Sequence, residues 1–68
     1  MAVYAVRVDY ISDALSYAGK AVPGSLTSDS VWQVQKIVST NDDVEVTWAD
    51  GNGNFDNVWD DRLSLSYS

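Results

Sequence analysis

The chain has no cysteine and no histidine, and a single proline among its 68 residues. Without cysteine there are no disulfides and no thiolate metal sites. Without histidine the commonest general base and the commonest transition-metal ligand are also gone. Basic residues are few: four Lys and Arg against ten Asp and Glu, for a net charge of −6. No apolar run approaches the roughly 20 residues that cross a bilayer. The opening Met1-Ala2-Val3-Tyr4-Ala5-Val6-Arg7 has no basic region ahead of a long apolar one, so no targeting signal is expected and the protein is read as made soluble in the cytoplasm. A single domain spanning 1–68 is expected. A chain of this size buries only about 60% of the surface its unfolded form exposes, so its core is small. The staple left to it is a partner, either its own copies or a larger assembly.

The charge is unevenly placed. Asp9, Asp13 and Asp29 cancel against Arg7, Lys20 and Lys36 in the first 40 residues. The whole net charge therefore lies beyond residue 40, where Arg62 alone opposes Asp42, Asp43, Glu45, Asp50, Asp56, Asp60 and Asp61. An acidic surface repels phosphate backbones, which argues against a nucleic-acid partner. A solvated, solubility-giving face is the plainest reading of these acids.

What the chain does have is alternation with the period of a strand. Ala2, Tyr4, Val6, Val8 and Tyr10 share one face of the first segment, and Val3, Ala5, Arg7 and Asp9 share the other. Ser12-Asp13 reads as a turn. Leu15, Tyr17, Gly19 and Ala21 then alternate with Ser16, Ala18 and Lys20, a weaker strand because Ala and Gly pack poorly in sheets. Pro23-Gly24 is the clearest break, since Pro presets one turn dihedral and Gly accepts a positive one. Val31 to Ser39 is a strong strand with mixed faces, expected to be covered on both sides. Asn41-Asp42-Asp43 is a hairpin-type turn, and Val44, Val46 and Trp48 form one face of the next strand. Asp50 to Asn54 is a long turn. Phe55, Val58 and Trp59 have helical spacing, enough for one or two turns. Leu63, Leu65 and Tyr67 alternate with serines as a last strand. The expected fold is mainly all-β: a small five-stranded antiparallel barrel or sandwich with one short helical turn near residues 55–61. The last strand carries no Pro or bulge and no charge after Arg62, so it reads as an unprotected edge open to another subunit.

The chemistry-bearing constellations are weak. Asp50-Gly51-Asn52-Gly53-Asn54-Phe55-Asp56 puts oxygen side chains at alternate positions, as calcium loops do, and Asp61 falls twelfth. Phe55 stands where such a loop needs the Gly of a sharp bend, and Asn, Gly and Asp make ordinary turns unaided. No metal or other cofactor is expected. Asp56, Asp60 and Asp61 flank Trp59 as surface acids would, with no cleft for paired-carboxylate chemistry. No serine has an evident activating base. An enzyme is not expected. Trp32 and Trp48 sit in alternating apolar patterns and are assigned to the core. Trp59, among acids in the least regular segment, has the best claim to face a partner, with core packing as its alternative. Phe55, Trp59, Leu65 and Tyr67 are the candidate partner-contact residues.

Two blocks of sequence carry a resemblance. The first is Tyr17-Ala18-Gly19-Lys20-Ala21, followed by Pro23-Gly24, Thr27-Ser28 and Val31-Trp32-Gln33. The second, more specific, is Thr47-Trp48-Ala49-Asp50-Gly51-Asn52 with Phe55-Asp56-Asn57-Val58-Trp59-Asp60-Asp61-Arg62 and Ser64-Leu65-Ser66-Tyr67. Together they resemble a group of short, mostly uncharacterised proteins of tailed bacteriophages and prophages. The resemblance implies a virion structural component at the tail, neck or capsid surface. Its partners would be itself, as a homo-oligomer, and other virion proteins, with neither nucleic acid nor membrane. It brings no catalytic or binding residues. The competing expectation is a small carbohydrate- or protein-binding module using Trp59 and the acidic loop, with calcium as a stabiliser of that loop.

Overall fold

A computed structural model describes residues 3–68. Four strands follow one another as an antiparallel meander: β1 (Ala5–Ser12), β2 (Leu15–Ala21), β3 (Ser30–Thr40) and β4 (Asp43–Trp48). A two-residue strand, β5 (Asn57–Val58), pairs with the start of β3, and a 3-10 turn (Trp59–Asp61) follows it. The all-β, five-stranded, antiparallel expectation holds, as does the short helical turn. The sheet is open and does not close into a barrel, since β1 and β4 lie at opposite ends of its order.

The turns follow their sequences. At Pro23-Gly24, Ser25 N–H donates to the Val22 carbonyl at 3.1 Å and Gly24 has φ 91°. This is the Pro-then-Gly turn that requires a left-handed third residue. Asn41, at φ 55°, starts the two-residue connection that pairs Thr40 with Asp43; Asn is among the few non-glycine residues that adopt this conformation readily.

The first hairpin contains the decisive irregularity. Ser12 pairs with Leu15 across a two-residue turn, but Tyr10 pairs with Ser16, so Ile11 is a bulge. Continuing the Ser12–Leu15 register would set Tyr10 opposite Tyr17, Val8 opposite Gly19 and Val6 opposite Ala21. The bulge moves each by one, opposite Ser16, Ala18 and Lys20. A one-residue shift sends every side chain of a strand to the other face.

The core lies on the face that holds Tyr17, Ala21, Trp32 and Val34. Ala49 and Trp59 close over it, with Ala5, Leu15, Leu65 and Tyr67 partly buried around them. Trp32 and Trp59 meet with ring centroids 5.9 Å apart and planes tilted by 40°, in the range of favourable aromatic pairs. The small residues of β2 make room for them. A Cβ at Gly19 would lie 2.5 Å from Trp59 Cε3 and 3.3 Å from Trp32 Cε3. The poor sheet formers that weakened this strand in the sequence are the floor on which the two indoles rest.

Arg62 ties the 3-10 turn to β1. Its guanidinium contacts Asp9 Oδ2 at 2.8 Å, its Nη1 donates to the Trp59 carbonyl at 3.2 Å, and its Cζ sits 4.7 Å from the Trp59 ring centre. Both members of the ion pair are largely shielded, at 23% and 27% exposed. Three interactions on one side chain are worth more than a surface ion pair. Arg62→Ala is expected to cost about 1–2 kcal/mol, read as a lowered denaturation midpoint in urea.

The expected last strand is corrected. Residues 63–67 do not form one: Ser64 N–H and Oγ both reach the Asp61 carbonyl, at 2.9 and 3.0 Å, and turn the chain. Leu63 is left exposed. Only Tyr67 makes a ladder contact, an isolated bridge to Ala49, flanked by mutual Trp48–Ser68 backbone bonds and by Asp50 N–H to the Ser66 carbonyl. Alternation describes a strand only if the backbone groups are free to pair, and here the serine and the carbonyl it caps are used locally. The tail is tied to its own sheet.

Candidate interaction surface

The pairings place every strand residue on one of two faces. Opposite the core lie Val6, Val8 and Tyr10 of β1, Ser16, Ala18 and Lys20 of β2, Gln33, Gln35, Ile37 and Ser39 of β3, and Val44, Val46 and Trp48 of β4. No layer of the described residues covers this face. Val6, Val8 and Val44 are each 66% exposed, Tyr10 65% and Val46 44%. On β3 itself Gln33, Gln35, Ile37 and Ser39 are half-buried between the neighbouring strands, so the expected cover on this side is partial.

Among the described residues no strand acid lies on the face, and the one carboxylate that reaches it is Asp13 of the β1–β2 turn, which accepts from the Tyr10 hydroxyl at its edge. The strand carboxylates Asp9, Asp43 and Glu45 all pair into the core-side rows, with Tyr17, Thr40 and Val38. The other seven acids lie in turns, loops and the 3-10 turn. Its one cation, Lys20, extends over the Tyr4 ring, 4.9 Å from the centre. A chain of net charge −6 thus keeps the carboxylates of its strands off one sheet face, which exposes valines on its two edge strands and carries Ser16, Lys20, Gln33, Gln35 and Ser39 between them. Isolated exposed valines need no explanation, but Val6, Val8, Val44 and Val46 together on one face of a single sheet do.

At the Lys20 end the face dips into a shallow groove lined by Val6, Ala18, Lys20, Gln33, Gln35 and Trp48. The loop after β4 forms its rim. Gln33 Nε2 donates to the Gly53 carbonyl at 2.8 Å, and Phe55 stacks on Tyr4 at 5.7 Å. Side chains within this loop hold its own backbone: Asn54 N–H donates to Asn52 Oδ1 at 2.9 Å. Asp50 and Gly51 adopt left-handed φ values of 59° and 71°. Among the described residues no group of three or more Asp, Glu, His or Cys converges.

The four candidate contact residues separate. Phe55 stands beside the open face. Trp59 is 4% exposed and belongs to the core, which corrects its assignment as a partner contact. Leu65 and Tyr67 pack against the core, Tyr67 with its ring 5.7 Å from Tyr17. Trp48, assigned to the core from its alternating pattern, is instead half-buried on the open face. Trp59 lies in the core and Trp48 on the open face, the reverse of their expected places. Periodicity shows which residues share a face and leaves open which face is covered.

Tyr67 makes the domain sensitive to alkali. Its hydroxyl donates to the Arg62 carbonyl at 2.7 Å. Burial pushes the phenol up to about 12 from 10.0, nearby Tyr17 adds to the rise and Arg62 opposes it. The folded state then keeps a proton that the unfolded chain releases first. Its stabilising contribution is complete below about pH 10 and lost as pH rises towards about 12. The melting temperature is expected to fall across that window, and to fall less in Tyr67→Phe.

No protein-family model, curated protein or solved structure matches the chain. No helix among the described residues is long and apolar enough to cross a membrane.

Proposed function

We propose that the chain is a non-catalytic assembly subunit of a bacteriophage virion, present in many copies at the tail, neck or capsid surface. The observation that carries the assembly reading is the face of β1–β4 that no second layer of the described residues covers, which holds no strand carboxylate and exposes Val6, Val8, Val44 and Val46. A face of this kind is stable in water only at a cost, and its usual role is to be covered by another protein. The virion setting is supported by the resemblance of the block from Thr47 to Tyr67. Mass spectrometry of purified particles from the phage that encodes the chain tests it. Stoichiometric amounts in the particle are expected, and absence from particles overturns the proposal.

A second reading has one observation in its favour. A half-buried indole, Trp48, lies beside the amides of Gln33 and Gln35 and the ammonium of Lys20, the chemistry that holds a sugar ring. Titration of a glycan panel against tryptophan fluorescence tests this reading, and no change with Trp48 in place removes it.

A further inference from the structure

We propose that the open face is an isologous homodimer interface, on which two copies of this chain stack face to face into a two-layered β-sandwich, with strands running antiparallel across the interface. It rests on the assembly reading above and names the first partner in that assembly.

Three observations select a second copy as the occupant. The first is charge. Two chains of net charge −6 repel unless they meet where the acids are fewest, and this face holds no strand carboxylate while the core-side rows do. The second is the distribution of charge along the strands. Lys20 lies at one end of the sheet. Asp13 and Asp42 lie at the other, in the β1–β2 and β3–β4 turns, and Asp50 and Asp56 lie in the loop at the Lys20 end, so both ends carry acids in their turns and loops. Antiparallel stacking keeps the two Lys20 ammonium groups, the only strand charges on the face itself, at opposite ends of the interface; parallel stacking would bring them together. The third is size. Four strands about 4.8 Å apart and about 25 Å long present roughly 500 Å² per copy in projection, before side-chain relief adds to it. Two copies bury on the order of 1,000 Å² or more, the threshold of a specific interface.

The bulge at Ile11 strengthens the case. A regular register would have turned Val6, Val8 and Tyr10 towards the core side; the bulge turns them outward. Edge pairing does not substitute for stacking. Joining β1 to β1 of another copy would extend the sheet and leave twice the apolar face bare. Face-to-face packing at about 10 Å covers it, as in other aligned sandwiches.

Sedimentation velocity on the full chain from about 1 µM to about 1 mM decides this, with Val46→Glu, Val8→Glu and Leu63→Glu as variants. Val46 and Val8 lie on the face, on opposite sides of it; Leu63 is as exposed as Val8 but outside it. The wild type and Leu63→Glu are expected to dimerise. Both face variants are expected to be monomers, with a dissociation constant raised at least about 100-fold by an unpaired carboxylate in an apolar interface. Should either glutamate unfold the chain, Val46→Thr and Val8→Thr replace them and are expected to weaken the dimer about 10-fold. A wild type that stays monomeric throughout overturns the proposal. So does a dimer that survives both face substitutions, which would place the contact at the β1 edge. A monomeric chain that is still found in purified particles refutes only the self-stacking; a chain missing from particles refutes the virion reading, whatever its state in solution.

Discussion

Replacing Trp59 with alanine is expected to remove about 3–5 kcal/mol of the domain's stability, roughly a third of it or more. Tryptophan-to-alanine changes in cores cost about 3–5 kcal/mol. A domain of this length has about 3–10 kcal/mol of stability in total, at roughly 0.05–0.15 kcal/mol per residue. Trp59 is one of only six buried apolar residues among those described, and it faces Trp32, Gly19 and Arg62 at once. Its removal opens a cavity between β2 and the tail and strips the guanidinium of its stacking surface. Circular dichroism and urea denaturation check this. A variant within about 1 kcal/mol of the wild type would mean that Trp59 is a surface residue after all.

The second large effect comes from a single added methyl. Gly19→Ala places a Cβ 2.5 and 2.7 Å from two carbons of the Trp59 ring. The obstruction is a packed indole, not the far end of a flexible chain. Overpacking costs typically about 1–3 kcal/mol, and the upper end applies because both neighbours are rings. Alanine's better backbone propensity returns only about 0.5–1 kcal/mol. A urea midpoint clearly below that of the wild type is expected. The double variant Gly19→Ala with Trp59→Ala should lose less than the sum of the two, because the methyl enters the cavity left by the ring.

Much of the fold is legible in the sequence. Alternation from Leu15 to Ala21 matches β2 residue for residue. Val31–Ser39 and Val44–Trp48 fall one residue short at the ends of β3 and β4. Pro23-Gly24 and Asn41 turn where their backbone preferences require. The spacing of Phe55, Val58 and Trp59 marks the 3-10 turn, though its helical part is only three residues.

The surface is less legible, for two physical reasons. The face on which β1 shows its valines depends on the bulge at Ile11, and Ser12-Asp13-Ala14-Leu15 contains no residue that announces a bulge. A strand with one apolar side looks the same whether that side meets a core or a partner, which is why Trp48 reads as core. One clue was available. Gly19 and Ala21 share a face with Tyr17, and small residues beside a large aromatic mark the side on which bulky rings must lie. Arg7 and Asp9 reach that same side only through the bulge, so Trp59 as the covering ring and Arg62 as its tether are seen in the structure alone. The serine-alternating tail misleads for a third reason: Ser64 caps a turn, so the backbone that would have paired is already occupied.

Isotope-filtered nuclear Overhauser spectroscopy on a mixture of labelled and unlabelled chain tests the role of the open face most directly. Transfer between copies is expected from the methyls of Val8, Ile37, Val44 and Val46, with the Val44 end of one chain meeting the Val6 and Trp48 end of the other. Transfer confined to the amides of β1, or no transfer at about 1 mM, would contradict it.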